Sequence, residues 1–247
     1  MGELGLLAAA GTGTALATGL GAVPVFALGV RADALRPLLW GIAAGVMAVA
    51  SVVGLLEPAL DESSGGAVAG GLVAGVLFLL AGRRALEHRD VHVGALRGAG
   101  VRRSALVFGV LLVHSLPEGF AIGTAFASEQ TGLGLFVLLA IAVQNIPEGT
   151  TSAIPMREAG FTPSQQFWAA VATSAPQPVG AVAAYVLVEQ FEALLPVSFA
   201  FAAGAMLALV VLELVPQAFT ARTWPMALTG AAGGAIAMLA LSAAIGT

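Results

Sequence analysis

His114-Ser115-Leu116-Pro117-Glu118-Gly119 lies in the middle of one long apolar run, and Gln144-Asn145-Ile146-Pro147-Glu148-Gly149 lies in the middle of the next. Each copy sets a carboxylate where lipid or a dry protein interior is expected. An ionisable side chain in a membrane-length segment is costly, so its default reading is a substrate or ion site. Two such segments with one common pattern point to a single shared site.

Outward from these motifs the chain is apolar throughout. Of its 247 residues 58% are hydrophobic and 10% charged, with a mean hydropathy of +0.95, far from the composition of a soluble domain. The fold class read from this is an all-α integral membrane protein. A helix crossing a bilayer needs about 20 apolar residues. The polar breaks then predict eight transmembrane helices, over 4–30, 35–58, 65–87, 103–128, 131–156, 162–189, 194–218 and 224–246. Met1 to Leu7 carries Glu3 and no basic residue, so it reads as the start of the first span and not as a cleavable signal.

The charges test that count. All ten basic residues are arginine. They fall at 31 and 36, at 83, 84, 89, 97, 102 and 103, at 157 and at 222, in the loops after the odd-numbered spans. Asp61, Glu62, Glu129, Glu189 and Glu192 occupy the opposite loops, where no arginine occurs. The positive-inside rule makes the arginine side cytoplasmic and places both termini outside. One domain, 1–247, is expected, with 88–102 as a cytoplasmic loop between the third and fourth spans. Glu57-Pro58 in the second span and Glu213 with Pro216 in the seventh hint at an inverted repeat, three helices on each side of the central pair, as in many secondary transporters.

His114 and Glu118 are four apart and share one helical face, as do Gln144 and Glu148. Two facing helices thus offer an imidazole nitrogen, two carboxylates and an amide oxygen, a plausible shell for a divalent transition metal. With no cysteine in the chain, thiolate ligands and disulfides are excluded. Pro117 and Pro147 lack an amide hydrogen and release the carbonyls of Val113 and Val143. A protonated, hydrogen-bonded glutamate beside a kink accounts for one motif, but packing alone does not explain the pair. A bound dication would keep both acids ionised.

With these motifs and eight spans the chain resembles the ZIP (ZRT/IRT-like) divalent metal transporters, and the bacterial-type members among them. The resemblance implies a metal site of His114, Glu118, Gln144 and Glu148 between the fourth and fifth spans, with zinc or another divalent metal as transported substrate and no cofactor. It also implies a second site sharing the glutamates, at positions occupied here by Ser115, Asn145 and Gln177. All three are uncharged, and they replace the Asn usual in the family at the first position, the frequent His or Asp at the second and the Glu at the third. Two dications a few ångströms apart repel strongly unless several carboxylates neutralise them, so one metal is expected.

Glu213, within Val210-Val211-Leu212-Glu213-Leu214, is a further intramembrane acid and a pathway candidate, as is Glu57 near the outer rim. His88 and His92, four apart in the long loop, are candidates for a cytoplasmic metal contact. The expected function is uptake of zinc, with iron, manganese and cadmium as other cargoes, driven by gradients since no nucleotide-binding motif is present. The contrasting readings are an intramembrane zinc hydrolase, for which His-Glu-x-x-His is missing, and a metal-sensing membrane protein. The expected partners are the metal ion, the lipid bilayer and a second copy in a homodimer, with no nucleic acid. A lysine-free, alanine- and glycine-rich composition suggests a prokaryote and hence the cell (inner) membrane.

Overall fold

A computed structural model describes residues 2–63, 65–87, 99–128 and 130–247, and the side chains of all of these except 87 and 99–107. His88 and His92 lie outside the described residues. Every regular element among the described residues is helical. In order they are α1 (Glu3–Gly21), α2 (Val23–Leu28), α3 (Ala32–Ser51), α4 (Glu57–Glu62), α5 (Gly65–Glu87), α6 (Ala99–Ala127) and α7 (Leu133–Glu158). They continue with α8 (Pro163–Thr173), α9 (Pro176–Gln190), α10 (Leu195–Leu209), α11 (Val215–Ala218) and α12 (Trp224–Ile245). Seven helical stretches among the described residues are long and apolar enough to cross a membrane, and the first of them, Glu3–Glu62, is 60 residues long.

The first two expected spans therefore run on without a coil between them. Their junction is a 3-10 turn, Gly29–Arg31, entered through Gly29 at φ 58, a left-handed conformation that glycine adopts without steric cost. Arg157, in the last turn of α7, donates to the Gly29 carbonyl and to Asp33 Oδ2 at 2.8 Å, fastening that turn to α7. The motif helices α6 and α7 are not broken by their prolines, since both run on through Pro117 and Pro147. The break falls instead in the expected sixth span, where Ser174 and Ala175 separate α8 from α9 and Pro176 opens the new helix. Proline suits that first helical position because its missing N–H would have no partner there.

Two wide π-turns, Val52–Leu56 and Val210–Leu214, interrupt the second and seventh expected spans. Pro58 and Pro216 follow at the same offset. A proline ring clashes with the carbonyl four residues earlier, at Gly54 and Leu212, inside each π-turn, and the widened turn relieves that clash. In this register Pro58 matches Pro216, so Leu55, not Glu57, is the counterpart of Glu213. The resemblance noted between the two spans is thus one of prolines and not of acids.

Small residues decide which helices touch. α3 packs on α12, α5 on α10, α6 on α9 and α1 on α7, with α3 also against α7 and α10 against α6. A Cβ at Gly149 would overlap the Thr18 carbonyl oxygen, and one at Gly21 the Ile146 carbonyl, across the α1–α7 contact. Gly119 and Gly123 stand in the same way against the carbonyls of Gln177 and Ala181 on α9. Such contacts let backbones approach in a bilayer, where no hydrophobic drive brings helices together. In the membrane-length stretch of α7 61% is buried, against 22% in α5 and in α12, so α7 is central and those two form the rim. Leu77, Val73, Ile236 and Leu239 on the rim helices are exposed, an apolar outer face suited to lipid.

Gly149→Ala is expected to destabilise the fold by about 1–3 kcal/mol through overpacking. Gly70→Ala, on a helical face with nothing within 4 Å, is expected to be neutral or to gain up to about 1 kcal/mol from helix propensity. Thermal unfolding of the detergent-solubilised variants distinguishes the two outcomes.

Candidate metal site

The close approach of α6 to α9 and α7 brings the two motifs and the start of α9 to one depth. His114, Glu118, Gln144 and Glu148 are all buried, Glu118 and Gln144 fully. Gln144 Nε2 donates to Glu118 Oε1 at 2.8 Å, and Gln177 Nε2 donates to Glu118 Oε2 at 2.6 Å. Both oxygens of the buried acid thus receive an amide hydrogen. A charge-assisted bond of this kind offsets the cost of holding a carboxylate away from water.

Gln177 is itself held in place. Its Oε1 accepts from Thr14 Oγ1 at 2.6 Å and from Asn145 Nδ2 at 3.1 Å, and Asn145 Nδ2 also donates to the Thr14 carbonyl at 2.8 Å. Thr14, Asn145, Gln177, Glu118 and Gln144 therefore form one buried network spanning α1, α6, α7 and α9. Pro176 opens α9 immediately before Gln177, so the glutamine occupies the helix's first turn, which the α8–α9 break turns toward the other motifs. Ser115 stands apart. Its one hydroxyl hydrogen is shared between the Leu111 carbonyl of its own helix and the Thr173 carbonyl, both at 2.9 Å. Thr173 ends α8, where the last carbonyls lack helical partners, so Ser115 caps that helix end.

His114 faces the other way. It lines a cavity of about 220 Å³ together with Glu148, Thr151, Glu213, Arg36 and Gln217. Its Nε2 is 3.4 Å from Glu213 Oε1, which is also 3.4 Å from Arg83 Nε. Neither ring nitrogen of His114 has a hydrogen-bond partner, nor does Gln144 Oε1. These are buried donor and acceptor atoms of the kind that normally find partners. The π-turn over 210–214 carries Glu213 into this wall, and such turns recur at functional sites.

Two further cavities continue from the first. One of about 390 Å³ shares Val110, Glu213 and Gln217 with it and reaches Arg83. The other, about 370 Å³, shares Arg36, Trp40 and Gln217 and reaches Asp33, Thr220 and Thr223. The openings thus lead from His114 and Glu148 toward the arginine-bearing end. Glu57 is exposed on α4 and is absent from these three linings.

Of the four expected ligands, the structure joins Glu118 with Gln144 and places His114 and Glu148 on one cavity. Among the described residues no three His, Cys, Asp or Glu side chains form a ready metal-holding group. Glu118 is turned to amide donors, and Gln144 presents its nitrogen rather than its oxygen to it. Thr14 in the buried network, and Thr151 and Gln217 on the cavity, are residues that the sequence did not reveal. A single threonine or glutamine in an apolar helix carries no spacing signal.

Ser115→Ala is expected to lower stability by about 1–2 kcal/mol, since the buried Thr173 carbonyl loses a donor, and to leave divalent-metal binding unchanged. Thermal unfolding and metal titration of the same preparation test both halves.

Comparisons with known proteins converge on one family. A family model described as ZIP zinc transporter matches residues 81–242. The zinc transporter GufA of Myxococcus xanthus is 34% identical over 253 residues, covering 98% of this chain and 99% of its own length. The zinc transporter ZIPB of Bordetella bronchiseptica is 33% identical over 246 residues, covering 93% and 78%. A plant relative from Arabidopsis thaliana is 38% identical over 207 residues, and the match spans only 33% of its length. With a family model over most of its length and relatives matched nearly end to end, the chain belongs to the ZIP zinc transporter family.

Proposed function

We propose that the protein carries divalent transition metal, zinc foremost, from outside the cell membrane into the cytoplasm through a site between α6 and α7. The observation that carries this reading is the buried His114 imidazole, whose ring nitrogens make no hydrogen bond, on one cavity with Glu148 that continues toward the arginine-bearing end. The family is one of transporters, which removes the hydrolase alternative.

The membrane frame is eight crossings arranged three, two and three. The helical stretch Glu3–Glu62 would be about 90 Å long at 1.5 Å per residue, three times the roughly 30 Å hydrocarbon core, so it crosses, turns at Gly29 and crosses back. The packing pairs support an inverted repeat. Exchanging the first three spans for the last three, and α6 for α7, turns the α3–α12 contact into α10–α5, α6–α9 into α7–α1 and α3–α7 into α10–α6, all of which occur. The arginine end is then cytoplasmic, with both termini outside the cell (inner) membrane.

At the site, His114 Nε2, Glu148 and Glu118 are the metal ligands, with Gln144 as the fourth. Gln144 contributes through Oε1, so its amide turns over when the ion arrives and releases Glu118 Oε1 at the same moment. The exit runs past Glu213, whose carboxylate stands 3.4 Å from His114 and also lines the next cavity. Ser115, Asn145 and Gln177 are spent on carbonyls and on each other, so the neighbouring position holds no second dication. With Glu118 and Glu148 alone, one ion is neutralised and two are not.

In vesicles loaded with a metal-sensitive dye, Glu118→Ala and Glu148→Ala are each expected to cut zinc influx by about tenfold or more, an effect at least that of removing outer-shell metal partners. Influx unchanged in both would sink the proposed site. Elemental analysis of equilibrated wild-type protein is expected to find one tightly held zinc per chain, and two would refute the single-metal reading.

A further inference from the structure

Thr14 is a positioning residue for Glu118, although it touches neither the acid nor the cavity that holds His114. It is buried in α1, between the exposed Thr12 and the buried Thr18. Both of its polar ends are used on the Gln177–Asn145 pair. Its carbonyl accepts from Asn145 Nδ2 at 2.8 Å, which commits that amide nitrogen to face α1. Its hydroxyl meets Gln177 Oε1 at 2.6 Å, and Asn145 Nδ2 meets the same oxygen at 3.1 Å.

The polarity of the Gln177 amide follows from these contacts. With Oε1 toward Thr14 and Asn145, Nε2 points at Glu118 Oε2, 2.6 Å away. Turned over, the amide would set its oxygen against the carboxylate and its nitrogen against Asn145 Nδ2, two like-with-like contacts in a dry interior. Nothing in Gln177 itself prefers one orientation.

We infer that Thr14 and Asn145 form a latch that keeps the Gln177 amide as a permanent neutral donor to Glu118, and that this latch sets how tightly the site holds its metal. This rests on the metal site proposed above. The donor withdraws part of the charge that Glu118 offers a dication, so the ion is bound less tightly and leaves more readily toward Glu213. The latch is specific to the hydroxyl at position 14. That hydroxyl has one hydrogen, shared between Gln177 Oε1 and the Gly11 carbonyl 2.8 Å away within α1, and a serine hydroxyl can take its place.

The test compares zinc affinity of detergent-purified wild type, Thr14→Val, Thr14→Ser, Gln177→Leu and the Thr14→Val/Gln177→Leu double variant, by competition with a metal-sensitive dye at mildly alkaline pH. Thr14→Val and Gln177→Leu are expected to lower the zinc Kd on the order of threefold to tenfold, the scale of one charge-assisted hydrogen bond partly lost. Their maximal influx into vesicles is expected to fall as release slows. Thr14→Ser is expected to match wild type, and the double variant to match Gln177→Leu alone, since the two residues act through one contact. A merely structural role would loosen binding or leave it unchanged, so an unaltered or raised Kd in Thr14→Val overturns the latch. Should that variant fail to fold, an unaltered or raised Kd in Gln177→Leu overturns it equally. Failure of the underlying site reads differently, as Glu118→Ala binding zinc like wild type.

Discussion

Glu118 is an acid sealed from solvent in the middle of the bundle, and each of its oxygens is met by an amide hydrogen. That compensation is the constraint on which the rest depends. A buried carboxylate without partners costs several kcal/mol and would protonate. Amide donors from two other helices must therefore reach it to within hydrogen-bond distance. Gln144 comes from α7 and Gln177 from α9, so α6 must lie tightly against both. The glycines at 119 and 123 permit that approach on one side, and Gly149 with Gly21 brings α1 in behind, where Thr14 completes the network.

Prolines act through this arrangement in three different ways. In α6 and α7 they leave the helix running and remove one amide each, beside the acids. At the start of α9, Pro176 begins a helix and so presents Gln177 from its first turn. In the helical stretches Glu3–Glu62 and Glu192–Ala218 they force a π-turn, and the second of these carries Glu213 to within 3.4 Å of His114. The same residue thus bounds a helix, widens one or leaves one whole, according to the freedom of the preceding turn.

The legible part of this was the part written in residue chemistry. Helix class and membrane environment follow from composition, and the arginine asymmetry follows from charges that must stay out of hydrocarbon. His114, Glu118, Gln144 and Glu148 stood out as candidates because a histidine and acids in apolar helices have few other uses, and the structure buries all four. Illegible were the uninterrupted run of α1 to α4, which turns on one glycine at φ 58, and the fate of Ser115, whose hydroxyl serves the end of another helix. Thr14 was hidden for the same reason, since its partners are 131 and 163 positions away.

By itself, then, the amino-acid sequence determined the family, the helical membrane class and the identity of the polar side chains, because each depends on what a side chain costs in an apolar medium. Only the tertiary structure decided how those side chains are shared. It gave Glu118 to two amides, left the His114 imidazole facing a cavity with Glu148 and Glu213, and set the neutral side chains of Thr14, Asn145 and Gln177 in one network next to Glu118. The reason is directional. A hydrogen bond requires donor and acceptor to meet within about 3 Å at the right angle, and which of several polar groups meet is set by helix packing over distances no local pattern records.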